Sequence, residues 1–194
     1  MWAWRSNNGL FALFLCATQV CAQSEQVGRS VRHHTVATPD SATSALLDQA
    51  ETLLAKGDYT AAQPLLQQAT VKDPQSYQAW YDLGYAEQAL NHNAEAIAAY
   101  RRSVEINPKI FESNLNLGIA LAAAGQQKDA IDYLTKATEI QPTAHPEQAK
   151  EHAYLTLGRL QTSADPAAAE KALIEAAKLV PADPQPHLLL ADLD

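Results

Sequence analysis

The chain has 194 residues, 47 % of them apolar and only 7 of them glycine, with a formal net charge of −8. That length suits one domain, or one stack of repeats with a tail. The acidic balance, with Arg101-Arg102 as the densest basic pair, excludes a nucleic-acid binder, which needs a basic stripe to displace counterions from phosphates.

The first 22 residues read as a secretory signal. Arg5 supplies a positive start, Leu10 to Ala17 is a compact apolar run, and Val20-Cys21-Ala22 offers small residues at a peptidase site. Cleavage is expected after Ala22, which makes the mature chain periplasmic or secreted. Two alternatives stand beside this reading. An uncleaved anchor would need roughly 20 apolar residues, and Thr18 and Gln19 interrupt the run early. A lipoprotein could use Cys16 or Cys21, but Leu15 and Val20 precede them where a small residue is wanted. Both cysteines lie in the signal, so the mature chain has none and depends on packing alone. Residues 23–40 are polar, lack helical periodicity and contain Pro39, the pattern of a disordered leader. The pair His33-His34 falls there, without a further ligand spaced to complete a metal site.

Beyond the leader the chain repeats itself. Pro74, Pro108 and Pro142 are 34 residues apart, and the same interval separates Ala62, Ala96 and Ala130, Leu83 and Leu117, and Gly84 and Gly118. These positions define repeats at 43–76, 77–110 and 111–144. About six residues are then inserted, at 145–150. A divergent fourth copy follows at 151–183, carrying Tyr154, Leu157, Gly158, Ala169, Leu173, Ala176 and Pro181, with one residue lost from its turn near Ala164. Composition is rich in Ala, Leu and Gln and poor in β-branched residues, which favours helix. Each repeat is expected to be two helices joined at Lys56-Gly57-Asp58, Asn91-His92-Asn93 or Gly125-Gln126-Gln127, where Gly and Asn accept the left-handed conformation. Each second helix should stop at the residue before its closing proline. Small residues at Gly84, Ala96, Gly118 and Ala130 let the paired helices approach. The final segment, 184–194, carries Leu189, Leu190 and Leu193. It reads either as a short capping helix or as the start of a truncated fifth repeat in a longer protein.

The second copy holds Trp80, Leu83, Gly84, Ala96, Tyr100 and Pro108, and the third keeps Leu117, Gly118, Ala130 and Pro142, with Asn114 in place of the Trp. This set resembles the tetratricopeptide repeat, over roughly residues 41–182. The resemblance implies an all-α, right-handed superhelical solenoid of antiparallel helix pairs, with a concave face lined mostly by the first helix of each repeat. The family's groove positions fall on Ser44, Leu47, Glu51 and Leu54, then on Gln78, Tyr81, Tyr85 and Gln88. In the third repeat they fall on Glu112, Leu115, Ile119 and Ala122, and in the fourth on His152, Leu155 and Arg159. Tyr81 and Tyr85, and likewise Leu115 and Ile119, are four apart and share a helical face. They either centre an apolar groove for an extended peptide or partner helix, or pack against neighbouring helices. The clamp with which some members hold C-terminal carboxylates is not matched. Its places hold Leu47, Glu51, Asp82 and Leu115, and Asn116 alone would fit. Glu87 stands where the family usually has Tyr, a misfit expected to sit part-exposed at the helix edge.

No phosphate loop, H-E-x-x-H helix, nucleophile elbow or Cys-x-x-Cys pair occurs in the mature chain. The nearest approach to a metal or catalytic cluster is His145, Glu147, Glu151 and His152. Pro146 is placed to start a helix there, and acids in a first turn complement the helix dipole. The chain is therefore expected to be a non-enzymatic scaffold that needs no cofactor or metal and binds a protein or peptide, without nucleic acid and without a membrane span once mature. Exported proteins of this family resemble assembly factors of the bacterial envelope. Alternatively, the repeats are the recognition module of a larger enzyme or sensor whose catalytic domain lies beyond this chain.

Overall fold

The computed structural model describes residues 41–193. The expected signal, its cleavage point near Ala22, and the leader with His33-His34 lie outside the described residues. Those described form nine helices and no strand: α1 (Ser41–Ala55), α2 (Tyr59–Lys72), α3 (Tyr77–Ala89), α4 (Asn93–Ile106), α5 (Phe111–Ala123), α6 (Gln127–Glu139), α7 (Pro146–Gln161), α8 (Pro166–Leu179) and α9 (Pro184–Ala191). They make an all-α solenoid of hairpins: α1 with α2, α3 with α4, α5 with α6, α7 with α8, and α9 against the last pair. None is long and apolar enough to cross a membrane.

The hairpin turns repeat one device. Gly57 (φ +76°), Asn91 (φ +64°) and Gly125 (φ +74°) are left-handed, each at the same place in its repeat. Glycine and asparagine take that conformation at least cost. The next amide then donates back over the helix end: Asp58 N to Leu53 O, His92 N to Glu87 O, and Gln126 N to Leu121 O, each at 2.9 Å. That bond satisfies a carbonyl that the helix end would otherwise orphan. The second helices stop where proline demands. Asp73 (φ −128°, ψ 87°), Asn107 (φ −136°, ψ 95°) and Val180 (φ −131°, ψ 78°) are extended ahead of Pro74, Pro108 and Pro181. In the third repeat α6 ends earlier, with Ile140 extended two residues before Pro142.

Packing inside the second, third and fourth hairpins is set by glycine on the first helix and a large side chain on the second, while the first hairpin has Ala50 in that place. A Cβ at Gly84 would lie 2.6 Å from Tyr100 Cδ1, and one at Gly118 would lie 2.6 Å from Leu134 Cγ and 3.2 Å from the Ala130 carbonyl oxygen. Tyr100, Leu117 and Leu134 are fully buried in the resulting core. The Trp80 indole N–H donates to the Pro74 carbonyl at 3.1 Å. One repeat later, Asn114 Nδ2 donates to the Pro108 carbonyl at 3.0 Å and to that of Ile110 at 2.8 Å. The replacement of Trp by Asn thus keeps the hydrogen bond that ties the start of the first helix to the preceding proline turn.

The six-residue insertion is mostly helix rather than loop. His145 (φ +43°) turns the chain, Pro146 opens α7, and α7 runs to 16 residues against 13 in α3 and α5. At the far end, Leu189, Leu190 and Leu193 pack on the cluster of Leu155, Leu173 and Ala176, so α9 and the residues after it cover the apolar end of the fourth hairpin.

Candidate functional site

Beyond the hairpin partners and sequence neighbours, α1 packs on α3, α5 on α7, and α7 on α9. First helices therefore meet one another directly. In a curved stack the elements on the inner side are the ones drawn together, so the first helices line the concave face.

The candidate groove residues divide into two sets there. Leu47, Tyr81 and Leu115 are only 4 %, 8 % and 3 % exposed. Leu47 packs with Ala50, Ala62 and Leu66, and Leu115 with Phe111 and Leu134. The Tyr81 ring lies 5.8 Å from that of Tyr100, and its hydroxyl accepts a hydrogen bond from Asn116 Nδ2 at 3.1 Å. These three are floor and core, which corrects their reading as groove-lining side chains in favour of the packing against neighbouring helices that the spacing of Tyr81 and Leu115 also allowed. Gln78, Tyr85, Gln88 and Ile119 stay half-exposed. Gln78 donates to Glu51 at 2.6 Å, joining α1 to α3. Tyr85 meets Tyr59 edge-on at 5.9 Å, and Gln88 accepts from the Tyr100 hydroxyl at 2.9 Å. Side chains four apart do share a helical face. On a solenoid helix, however, that face is divided between a sibling helix, the next repeat and the open side.

Carboxylates give the floor its electrostatic character. Asp82, at 9 % exposure, has an Oδ2 atom with no hydrogen-bond partner. Burial pushes its carboxyl well above the usual range, and the charge of Glu51 pushes it further. Glu112 is also buried, and desolvation raises it against the opposing pull of its own backbone hydrogen bond. The phenols of Tyr77 and Tyr81 are raised by burial and then by the charges of these two acids. Asp82, Glu112, Tyr77, Tyr81 and Asn116 thus occupy one neighbourhood between α3 and α5, with Glu51 beside it on α1.

Glu87 is 3 % exposed, which corrects its placement at a part-exposed edge. Its carboxylate accepts from Gln63 Nε2 at 2.9 and 3.0 Å and meets His92 Nδ1 at 2.7 Å. It clasps the first hairpin to the second where the family has a Tyr.

In the fourth repeat Glu151 lies beside Asp183, the cap of α9. Burial, then the charge and hydrogen bond of Asp183, raise Glu151 to about 7, while Arg159 opposes. His152 is lowered by burial and by Arg159. Among the described residues no three His, Cys, Asp or Glu side chains are grouped to hold a metal ion.

This arrangement, a stack of helical hairpins with a half-open face along its first helices, defines a helical repeat protein. A model of the tetratricopeptide repeat matches residues 47–109 and again 85–145, together just over half of the chain. The chain belongs to the tetratricopeptide repeat family, whose members are in general non-catalytic scaffolds for protein interaction. No curated protein matches its sequence. Among solved structures it is similar to MamA of Desulfovibrio magneticus RS-1, with 18 % identity and a TM-score of 0.70 over 80 % of this chain and 85 % of that one. It is similar also to pilF of Pseudomonas aeruginosa, with 24 % identity and a TM-score of 0.67 over 80 % and 68 % of the two chains. A third is YrrB, described as a tetratricopeptide repeat protein with an unusual peptide-binding site, at 16 % identity and a TM-score of 0.67 over 80 % and 83 %.

Proposed function

We propose that this chain is an exported, non-enzymatic scaffold that binds an extended peptide or a partner helix in the groove along α1, α3, α5 and α7. The observation that carries the reading is the division of the first helices. A packed floor of Leu47, Tyr81 and Leu115 supports a half-exposed row of Gln78, Tyr85, Gln88 and Ile119. A rigid floor lowers the ordering cost of binding, and amide and phenol side chains suit a half-wet interface. The peptide-binding site described for YrrB and the sequence of the first 22 residues support the two halves of the proposal.

The test is recovery of partners from the native compartment with tagged full-length protein. Wild type should co-purify a partner that Tyr85→Ala with Gln88→Ala loses. Unchanged recovery by a folded double variant overturns the groove. Intact mass of the recovered protein should correspond to a chain beginning at Gln23, and a protein retaining its first 22 residues overturns cleavage at Ala22.

A further inference from the structure

The charges of the first three repeats are sorted by helix. α1, α3 and α5 contain no lysine or arginine, and their charged residues are Asp48, Glu51, Asp82, Glu87 and Glu112. The cations of these repeats, including Arg101, Arg102 and Lys136, stand on the second helices and turns. The ion pairs follow suit: Arg101 with Asp129 and Arg102 with Glu105, both on the outer helices. Over these three repeats the groove side is therefore acidic, and among the described residues the groups acting on Asp82 and Glu112 include no cationic side chain. Glu87 differs, because Gln63 and His92 satisfy it.

A buried carboxyl atom without a partner costs stability unless something compensates it. Asp82 Oδ2 is such an atom, at the centre of the acidic face, with Glu51 on one flank and Glu112 on the other. A bare metal ion does not answer the need, since these acids are not grouped as a metal site. A cation on a long flexible or planar stem does, because it can reach a recessed carboxylate while its chain stays in the open groove.

We propose that the groove takes a basic peptide segment, one of whose lysine or arginine side chains enters between α3 and the flanking helices to pair with Asp82, with Glu51 and Glu112 completing its surroundings. The proposal rests on the groove reading above and names the chemistry of its partner. Charge complementarity of this kind selects against acidic partners and steers basic ones, and arginine's planar donors fit a carboxylate two at a time.

The probe is a set of labelled, uncharged-backbone dodecapeptides that differ only in carrying arginine, citrulline or glutamate, read by fluorescence anisotropy in about 0.15 M salt, where remote charge is screened beyond ~8 Å. The arginine peptide should bind about tenfold more tightly than its citrulline counterpart. Asp82→Asn should remove most of that preference, and Glu51→Gln, at an exposed site where the amide oxygen can still accept from Gln78, should reduce it by about threefold. Glu105→Gln and Glu175→Gln, on the outer helices, should leave it unchanged. Equal binding of arginine and citrulline peptides, or equal losses from groove and outer variants, overturns the proposal. If the citrulline peptide binds equally and Tyr85→Ala with Gln88→Ala abolishes its binding, the groove survives and its basic preference does not. If no peptide binds and the double variant also keeps its native partners, both fall.

Discussion

Adding one methyl group at Gly118 should destabilise the protein, and removing a second side chain should reverse the sign. The Cβ of Gly118→Ala would stand 2.6 Å from Leu134 Cγ and 3.0 Å from its Cδ2. Leu134 is fully buried, and its Cγ is a branch point, so the contact cannot be relieved by swinging a free end. Overpacking of this kind costs about 1–3 kcal/mol. Against it stands the gain from replacing glycine by alanine within a helix, about 0.5–1 kcal/mol. The net loss is about 1–2 kcal/mol, which lowers Tm by about 2–8 °C for a chain of this size. In a Leu134→Ala background the clash disappears, and the Ala130 carbonyl at 3.2 Å asks only for a small shift. Leu134→Ala alone should cost about 2–5 kcal/mol. Adding Gly118→Ala to it should then change nothing or restore up to about 1 kcal/mol, a coupling within the range found for contacting residues. Urea melts of the four proteins measure the cycle. If Gly118→Ala costs the same in both backgrounds, the glycine is not there to admit Leu134.

Asn114→Ala removes both N–H bonds to the Pro108 and Ile110 carbonyls and should cost about 1–3 kcal/mol in a urea melt; an unchanged melt would refute their role in tying α5 to the preceding turn. The Glu151 carboxyl is raised from 4.5 to about 7 in the folded state; a raised acid binds its proton more tightly when folded, so its contribution to stability is fullest below pH ~4.5, falls as pH rises to about 7 and is level above. Glu151→Gln should therefore raise Tm at pH 8 by about 2–8 °C, from about 1–2 kcal/mol after a discount for screening by Arg159 and solvent, and leave it nearly unchanged at pH 4; an equal shift at both values would refute the assignment.

The repeat was legible because it is written in residues whose conformational demands are local. Pro74 and Pro108 hold the residue before them out of the helix by local sterics, and Gly57, Asn91 and Gly125 take the left-handed backbone without help from neighbours. The groove was less legible because exposure is decided by what packs on a helix. Tyr81 and Tyr85 are equivalent by spacing, yet Tyr100 and Asn116 cover the first and leave the second half-open. Glu87 looked like a misfit because its partners, Gln63 on α2 and His92 in the turn, come together only when two hairpins dock. Asn114 looked like a lost aromatic because composition records size, while the kept feature is one N–H aimed at a proline carbonyl. Pro146 was legible as a helix start for the same local reason, and most of the segment after residue 144 lengthens α7.

The buried polar groups are distributed unevenly, and the distribution bears on function. Asp82, Glu87, Glu112 and Glu151, the buried acids, all stand on first helices. Among the described residues, the polar side chains that second helices bury are hydroxyls that are satisfied: Thr70 and Thr138 bond within their own turns, and Ser103 donates to the Tyr77 carbonyl. A stack selected for stability alone has no reason to load one side with carboxyls, because an apolar residue of similar size costs less there. Asp82 separates the two explanations. If its carboxyl serves only the fold, Asp82→Asn should weaken the free protein. If it is held for a cationic guest, the raised carboxyl is a burden on the empty groove once pH exceeds the ordinary carboxylate range. Asp82→Asn should then raise Tm at neutral pH while lowering affinity for the arginine peptide, and a variant that loses both stability and affinity would favour the structural account.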